Sequence, residues 1–363
     1  MALQGNVKMM YALYTAIGSA EDIFRGNRDQ YYEWGISDNY IPALVDKDLT
    51  AAYNILGQCE RFGIGILSIE DDEYPQSLRE IALPPCILFY QGDLISCLNT
   101  PMITVIGTRH TTASGEAIAT VFGRELSISG FTLVCGVAEG IEEVLYKSVI
   151  QEDGRCILFL PCGILSVNNR VRYMIKNVAV RGAAVSEWLP HERSSPDAYH
   201  VRNRLLCALT PGTLVLQSPK RSGTQITVNY ALSQGKDVFT IPGGLMDPSF
   251  AGNNQMLRDG AIPVLEAKDI ADYYKSRYED ALFDIVVEDD EFEQFVRSVS
   301  QRAEFESEEQ QIIYGAVAPE GSTIDELVLK TELETHVVLS QITLMEMNGW
   351  VKAIPGGKYK IIS

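Results

Sequence analysis

The chain has 363 residues, enough for two or three domains with a full core, and a formal net charge of −18. An ordinary apolar share, no apolar run of membrane-spanning length and no basic-then-apolar leader point to a globular protein expected in the cytoplasm. The acidity argues against a molecule-wide electrostatic grip on nucleic acid, so a polyanion site would have to be local.

Residues 1–65 read as a helical domain, with apolar spacing in Val7–Ile17 and Leu49–Cys59 and no strand alternation. Residues 66–99 are irregular, with Tyr74-Pro75 and Pro84-Pro85 ahead of a short apolar run, Cys86–Tyr90. A regular alternation then begins. It predicts strands at 102–107, 131–136, 156–161, 183–186, 213–217, 237–241 and 262–265. Helices are expected at about 114–129, 139–151, 168–180, 199–209, 224–234, 253–258 and 268–278. Continuous apolar strands alternating with helices mean an α/β, doubly wound, mainly parallel sheet, here spanning residues 66–279. Residues 280–307 form an acidic stretch read as a solvated linker. Residues 308–363 predict a winged-helix domain: helices at 308–317, 323–330 and 335–348, then a hairpin from Trp350 to Ile362 around Pro355-Gly356-Gly357. The third helix has no basic residue between Glu334 and Gly349, so it is a poor DNA reader and suits protein contact or packing.

Charge is unevenly spread. Residues 1–99 carry 6 basic and 14 acidic side chains, and residues 266–335 carry 6 and 20. Residues 100–265 carry 15 basic and 13 acidic, and within them 155–221 hold 10 and 3, a local basic bias in an acidic chain.

Two strand-to-helix turns carry anion-binding chemistry. Gly107-Thr108-Arg109 follows a buried-strand run. Glycine lets a ligand approach the backbone, the next helix offers free N–H groups, and arginine is a bidentate phosphate donor. Lys220-Arg221-Ser222-Gly223-Thr224 stands at another such turn. Further glycines and polar residues at strand ends include Gly136, and Gly252, Asn253 and Asn254. Neither a dinucleotide-binding nor a P-loop glycine pattern is present, so nicotinamide and P-loop ATP chemistry lose their main support. No nucleophile elbow surrounds Ser222. The seven cysteines are scattered without metal spacing and read as reduced thiols. The four histidines lack metal spacing, and no metal and no cofactor are expected.

The motifs VIGTR-x5-G (105–115), CGVAEGIEEV (135–144), VSEWLP (185–190), YHVRNRLLCAL (199–209), SGTQITVNYALSQGKDVFTIPGG (222–244) and GNNQMLRDGA (252–261) occur in the order of one family. Together with the lead-in DDEYPQSLREIALPPCILFYQGD (71–93) and the C-terminal winged helix, the chain resembles the DprA/Smf family of bacterial DNA-processing proteins. The resemblance implies an extended Rossmann-like core that binds single-stranded DNA without sequence preference. It also implies a homodimer that loads the RecA recombinase during natural transformation, with no enzymatic activity. By motif match it puts Gly107, Thr108 and Arg109 at the phosphate pocket with Arg202, Asn203 and Arg204 nearby. Ser222, Gly223, Thr224, Gly252, Asn253 and Asn254 would be further pocket walls. The chain departs from the family pattern at Glu139, a carboxylate expected to repel a strand, and at Cys135, Tyr146 and the GILSVNNR run from Gly163.

Other functions stay open. A diverged protein-interaction module of the same fold is favoured by Glu139 and the net charge. A nucleoside-monophosphate glycosidase is suggested by Pro242-Gly243-Gly244, although Leu245-Met246-Asp247 follow where such enzymes continue with glycine, threonine and a catalytic glutamate. Tyr146, Tyr199 and His200 are candidates for stacking on bases.

Overall fold

The computed structural model describes residues 7–275, 307–318, 321–331, 333–347, 350–354 and 357–361, so the acidic linker lies outside the described residues except Ser307. The chain folds as two compact units, Met1–Val287 and Glu288–Ser363.

The first unit begins with α1 (Val7–Ile17), α2 (Ala20–Arg25), α3 (Arg28–Glu33), α4 (Ile41–Val45) and α5 (Thr50–Phe62). The first four share a small core of Leu13, Tyr31, Ile36, Ile41 and Leu44. Too few apolar residues converge there to fix the helices alone. Lys47 reinforces the cluster by donating from Nζ to the carbonyls of Gly26 (2.9 Å) and Leu44 (2.8 Å), which caps helix ends that lack intrahelical partners.

A nine-stranded sheet follows. Its strands are β1 (Gly65–Ser68), β2 (Ile87–Gly92), β3 (Met102–Ile106), β4 (Thr132–Cys135), β5 (Arg155–Phe159), β6 (Ala183–Ser186), β7 (Gly212–Val215), β8 (Asp237–Thr240) and β9 (Ile262–Pro263). The order is β1-β2-β6-β5-β4-β3-β7-β8-β9. β3 to β9 are parallel, as continuous apolar runs demand, and every residue of β4, β6 and β7 is buried. β1 and β2 are antiparallel additions at one edge, with Gly65 opposite Tyr90 and Phe89 opposite Ser186. They correct the irregular reading of residues 66–99.

Helices cover both faces: α6 (Gln76–Arg79), α7 (Leu94–Leu98), α8 (Ala113–Ile128), α9 (Ile141–Gln151), α10 (Asn169–Val178), α11 (Ala198–Leu209), α12 (Thr224–Ser233), α13 (Ala251–Arg258) and α14 (Ala267–Lys275). One face buries Leu126, Leu145 and Ile175 against β3 to β5; the other buries Leu205, Leu206 and Leu209 of α11 with Leu78 of α6. Strand order runs outward from β3 in both directions, so the β3–β7 boundary is the topological switch point. Ligands in such sheets bind there, beyond the carboxyl ends.

The second unit packs α15 (Glu308–Ala316), α16 (Ile324–Thr331) and α17 (Thr335–Met347) around Ile313, Leu327, Val338, Ile342 and Val351. A three-stranded sheet, β10 (Ser322–Thr323), β11 (Val351–Ile354) and β12 (Lys358–Ile361), completes a winged helix. β10 is an addition to the expected hairpin, pairing Ser322 with Tyr359. Among the described residues, no helix is long and apolar enough to cross a membrane.

Candidate functional site

A cavity of about 400 Å3 opens at the switch point, between the turn after β3, the turn after β7 and the first half of α11. The turns are held by backbone pairing that continues past the strands. The Thr108 amide donates to the Gln217 carbonyl (2.7 Å), and the Ile141 amide donates to the Thr108 carbonyl (3.1 Å). Gln217 is fully buried and donates from Nε2 to Thr112 Oγ1 (2.7 Å) and Ser249 Oγ (3.0 Å), which locks the start of α8 to the β7 end. Gly140 precedes α9 with φ +80, and a Cβ there would meet the backbone of Thr108 and Arg109. Only glycine meets both demands, so the chain crosses close behind the arginine turn.

Nine of the expected residues converge on the cavity: Gly107, Thr108, Arg109, Arg202, Asn203, Arg221, Ser222, Gly223 and Thr224. Asn203 is oriented by donating to Thr227 Oγ1 (2.9 Å), and Thr224 by pairing its hydroxyl with Ser218 Oγ (2.5 Å). Gly136 lies directly behind, and a Cβ there would overlap the Arg202 guanidinium.

Arg202 is the central feature. It is 2% exposed, and its Nε and Nη1 have no hydrogen-bond partner. Burial lowers its pKa from the ordinary arginine value. The nearby Glu142 carboxylate counters that shift, and Arg109 adds to it. The ring of Tyr199 lies within 5.2 Å of the Arg109 guanidinium and 5.9 Å of that of Arg202. A guanidinium kept dry without its full set of acceptors is costly unless an acceptor arrives, and a multi-oxygen anion is the natural one.

The remaining expected residues go elsewhere. Arg204 does not reach the cavity: its Nη2 donates to Glu187 Oε2 at 2.5 Å in a buried pair. Asn253 is fully buried and structural. It accepts from the Ser218 amide (2.7 Å) and donates to the carbonyls of Val215 (3.1 Å) and Leu216 (3.2 Å) and to Thr240 Oγ1 (2.9 Å), tying α13 to the ends of β7 and β8. Asn254 closes both of its amide groups on Gly243, and the Gly252 amide donates to the Ser218 carbonyl (2.8 Å). Gly252 and Asn253 support the turn after β7 from behind, and Asn254 supports the turn after β8. Lys220 is exposed beside the cavity and does not line it. Glu139 is exposed and outside the lining, while Glu142 supplies the cavity's carboxylate and accepts from the Ala138 amide (3.0 Å). Tyr146 is buried, with its hydroxyl accepting from Asn177 (2.9 Å), whereas Tyr199 and His200 do line the cavity. His110 and Glu142 are lining residues that strand-end reasoning did not single out. For Glu142 the available signal was its place in the first turn of α9, directly after Gly140.

Among the described residues, no three His, Cys, Asp or Glu side chains are grouped to hold a metal ion. Asp247 Oδ1 is occupied by the amide (2.8 Å) and hydroxyl (2.6 Å) of Ser249.

Fold and cavity together define a doubly wound, Rossmann-like α/β protein with a cationic crevice at its switch point. The chain belongs to the DNA recombination-mediator protein A family, whose model matches residues 65–275, and a DprA winged helix domain model matches residues 300–357. It is 30% identical over 217 residues to the DNA processing protein DprA of Bacillus subtilis, covering 60% of this chain and 73% of that one. Protein Smf of Escherichia coli is 27% identical over 306 residues, covering 82% and 77%. The X-ray structure of DprA from Streptococcus pneumoniae superposes with a TM-score of 0.64 at 24% identity, covering 75% of this chain and 94% of that one. A structure of DprA from Helicobacter pylori, described for its single-stranded DNA binding mode, gives a TM-score of 0.52 at 24% identity, covering 59% of this chain and 97% of that one.

Proposed function

We propose that this protein is a recombination mediator that binds single-stranded DNA without sequence preference through the switch-point cavity. The observation that carries the reading is the buried, under-partnered guanidinium of Arg202, flanked by exposed Arg109 and Arg221. A phosphate of the strand would accept from Arg202, the glycine turns would let the backbone approach, and the exposed arginines would add screened attraction. No group in the cavity reads base edges in this scheme, so the bases stay outside, where a recombinase can take them over. Family membership and the single-stranded DNA binding mode described for the Helicobacter pylori protein support the same ligand. In this reading the protein works in the cytoplasm as a homodimer. It carries out no covalent chemistry and hands incoming strands to RecA during natural transformation.

The test is fluorescence anisotropy of labelled oligo-dT over a salt series. Affinity is expected to fall steeply with salt and to drop in Arg202→Met. Binding that ignores salt, or that survives Arg202→Met unchanged, would remove the strand from this cavity.

A second reading, a protein-interaction module, draws on α17, which exposes Leu339 and Leu344 and has no lysine or arginine. A folded protein with no oligo-dT binding at low salt would favour it. The glycosidase alternative would need a free acid. Glu142, the carboxylate among the described cavity residues, is engaged by the Ala138 amide, and release of free base from a nucleoside monophosphate would decide that point.

A further inference from the structure

The turn after β8 holds two large apolar side chains out in water. Leu245 is 93% exposed and Met246 95%, the most exposed large apolar residues among those described. A lone exposed leucine is ordinary on a protein surface, but an adjacent pair with almost no cover calls for a reason.

The turn beneath the pair is firmly built. Asn254 ties both the amide and the carbonyl of Gly243, at 3.1 and 3.0 Å. The Asp247 amide donates to the Gly244 carbonyl (3.0 Å), and the Asp247 carboxylate accepts from the Ser249 amide (2.8 Å). Buried Phe250 lies so close to Gly243 that a Cβ there would overlap its side chain. The frame keeps Leu245 and Met246 from folding back onto the surface, so a ligand would meet them already in place.

This frame is shared with the phosphate cavity. Ser249 Oγ accepts from Gln217 Nε2 (3.0 Å), and the Gly252 amide donates to the Ser218 carbonyl (2.8 Å). Pro219 and Arg221, just beyond, line the cavity. β8 is the neighbour of β7, so its turn starts one strand spacing, about 4.8 Å, from the turn after β7. Charge then gives a bound strand a direction. On the β4 side of the switch point Glu139 is exposed and repels phosphates; on the β7 side Lys220 and Arg221 are exposed and attract them. A strand held at Arg202 therefore leaves over the β7 turn and reaches the Leu245-Met246 tip.

We propose that Leu245 and Met246 form a wedge that packs between bases of the strand whose phosphate occupies the cavity. The inference rests on strand binding at that cavity and adds a contact to bases where the cavity itself contacts phosphate. Leucine and methionine are among the side chains that enter base steps. Every base offers an apolar face, so the contact is blind to sequence.

The double variant Leu245→Ser, Met246→Ser in the full chain tests it. Anisotropy is read with labelled oligo-dT and with an abasic strand of the same length, each over a salt series. Oligo-dT affinity is expected to fall about fivefold to tenfold. The slope of log affinity against log salt is expected to stay the same, because no phosphate contact is lost. The abasic strand should bind parent and variant alike. A folded variant that holds oligo-dT as tightly as the parent, or that loses as much on the abasic strand, would overturn the wedge and leave the cavity reading standing. A parent that does not bind oligo-dT would overturn both.

Discussion

Arg202 and Arg204 stand two residues apart on α11, and both are buried, yet their surroundings oppose each other. Arg204 pairs with Glu187 through Nη2 and Oε2, although its own Nε and the other carboxylate oxygen have no hydrogen-bond partner. Arg202 lines the strand-end cavity, has no carboxylate pair among the described residues, and keeps its buried Nε and Nη1 without a hydrogen-bond partner. A paired buried charge belongs to the fold, because removing its partner strands the other charge. An under-partnered buried charge weakens the fold and is held ready for a ligand. The two arginines should therefore respond to the same substitution in opposite ways.

The largest effect is expected from Arg204→Met. It leaves Glu187 buried without its cation and should cost about 3–5 kcal/mol in urea denaturation. Adding Glu187→Leu should restore most of that loss, since a well-packed apolar pair replaces a buried ion pair at little cost. A single variant as stable as the parent would mean the pair contributes nothing, and the contrast with Arg202 would collapse.

The pH dependence of the same variant sharpens the point. Burial already raises the Glu187 carboxyl, and Arg204 is what offsets it. Without Arg204 the folded-state value rises further. A carboxyl raised on folding favours the folded chain below its unfolded value and loses that contribution as pH rises through the folded value. The Arg204→Met deficit should thus be smallest near the ordinary carboxylate range and grow toward neutral pH, by about 1.4 kcal/mol for each unit of raised pKa. Denaturation of parent and variant across pH reads this directly, and a flat difference would show that Glu187 is not the group left stranded.

Arg202→Met should do the reverse. It removes under-partnered buried donors, so stability is expected to stay within about 1 kcal/mol of the parent or to rise. Oligo-dT affinity should fall about tenfold to a hundredfold, the loss expected for a hydrogen-bonded charge contact. Gly136→Ala should mimic part of this without changing any charge, because its Cβ would push the guanidinium aside. Full binding in a folded Gly136→Ala would show that the position of Arg202 is not what matters.

Why the sequence foretold some of this and not the rest has physical reasons. The seven parallel strands were legible because both of their faces are covered, which writes them as continuous apolar runs. β1 and β2 escaped because they are short antiparallel strands at one margin of the sheet with mixed exposure; Ile87 is 41% exposed. In the site, the glycine turns after β3 and β7 were legible because strand ends in this topology face the ligand crevice. The motif containing Arg202 and Arg204 could not reveal which arginine points where. Two residues on a helix differ by about 200° around its axis, so one faces the cavity and the other faces Glu187. The same limit separated Glu139 from Glu142. The turn at Gly140, with φ +80, leaves the first carboxylate outside, and the second reaches back to the Ala138 amide. Asn253 and Asn254 read as cavity residues by motif match at a strand end, but their bonds close on backbone that only the folded chain brings near.

The smallest effect is expected from Arg109→Ala, and it separates a buried cation from an exposed one at the same cavity. Arg109 is exposed and rests against Tyr199, so its attraction for a phosphate acts through solvent. Salt screens such an interaction, with a Debye length of about 10 Å at 0.1 M. The variant should bind oligo-dT only about two- to fivefold more weakly at low salt, and the slope of log affinity against log salt should shrink by about one. Near 0.5 M salt the difference from the parent should vanish, whereas the Arg202→Met loss should persist because the buried contact is dry. If both losses fade together with salt, Arg202 is acting as another screened surface charge, and its burial has no part in holding the strand.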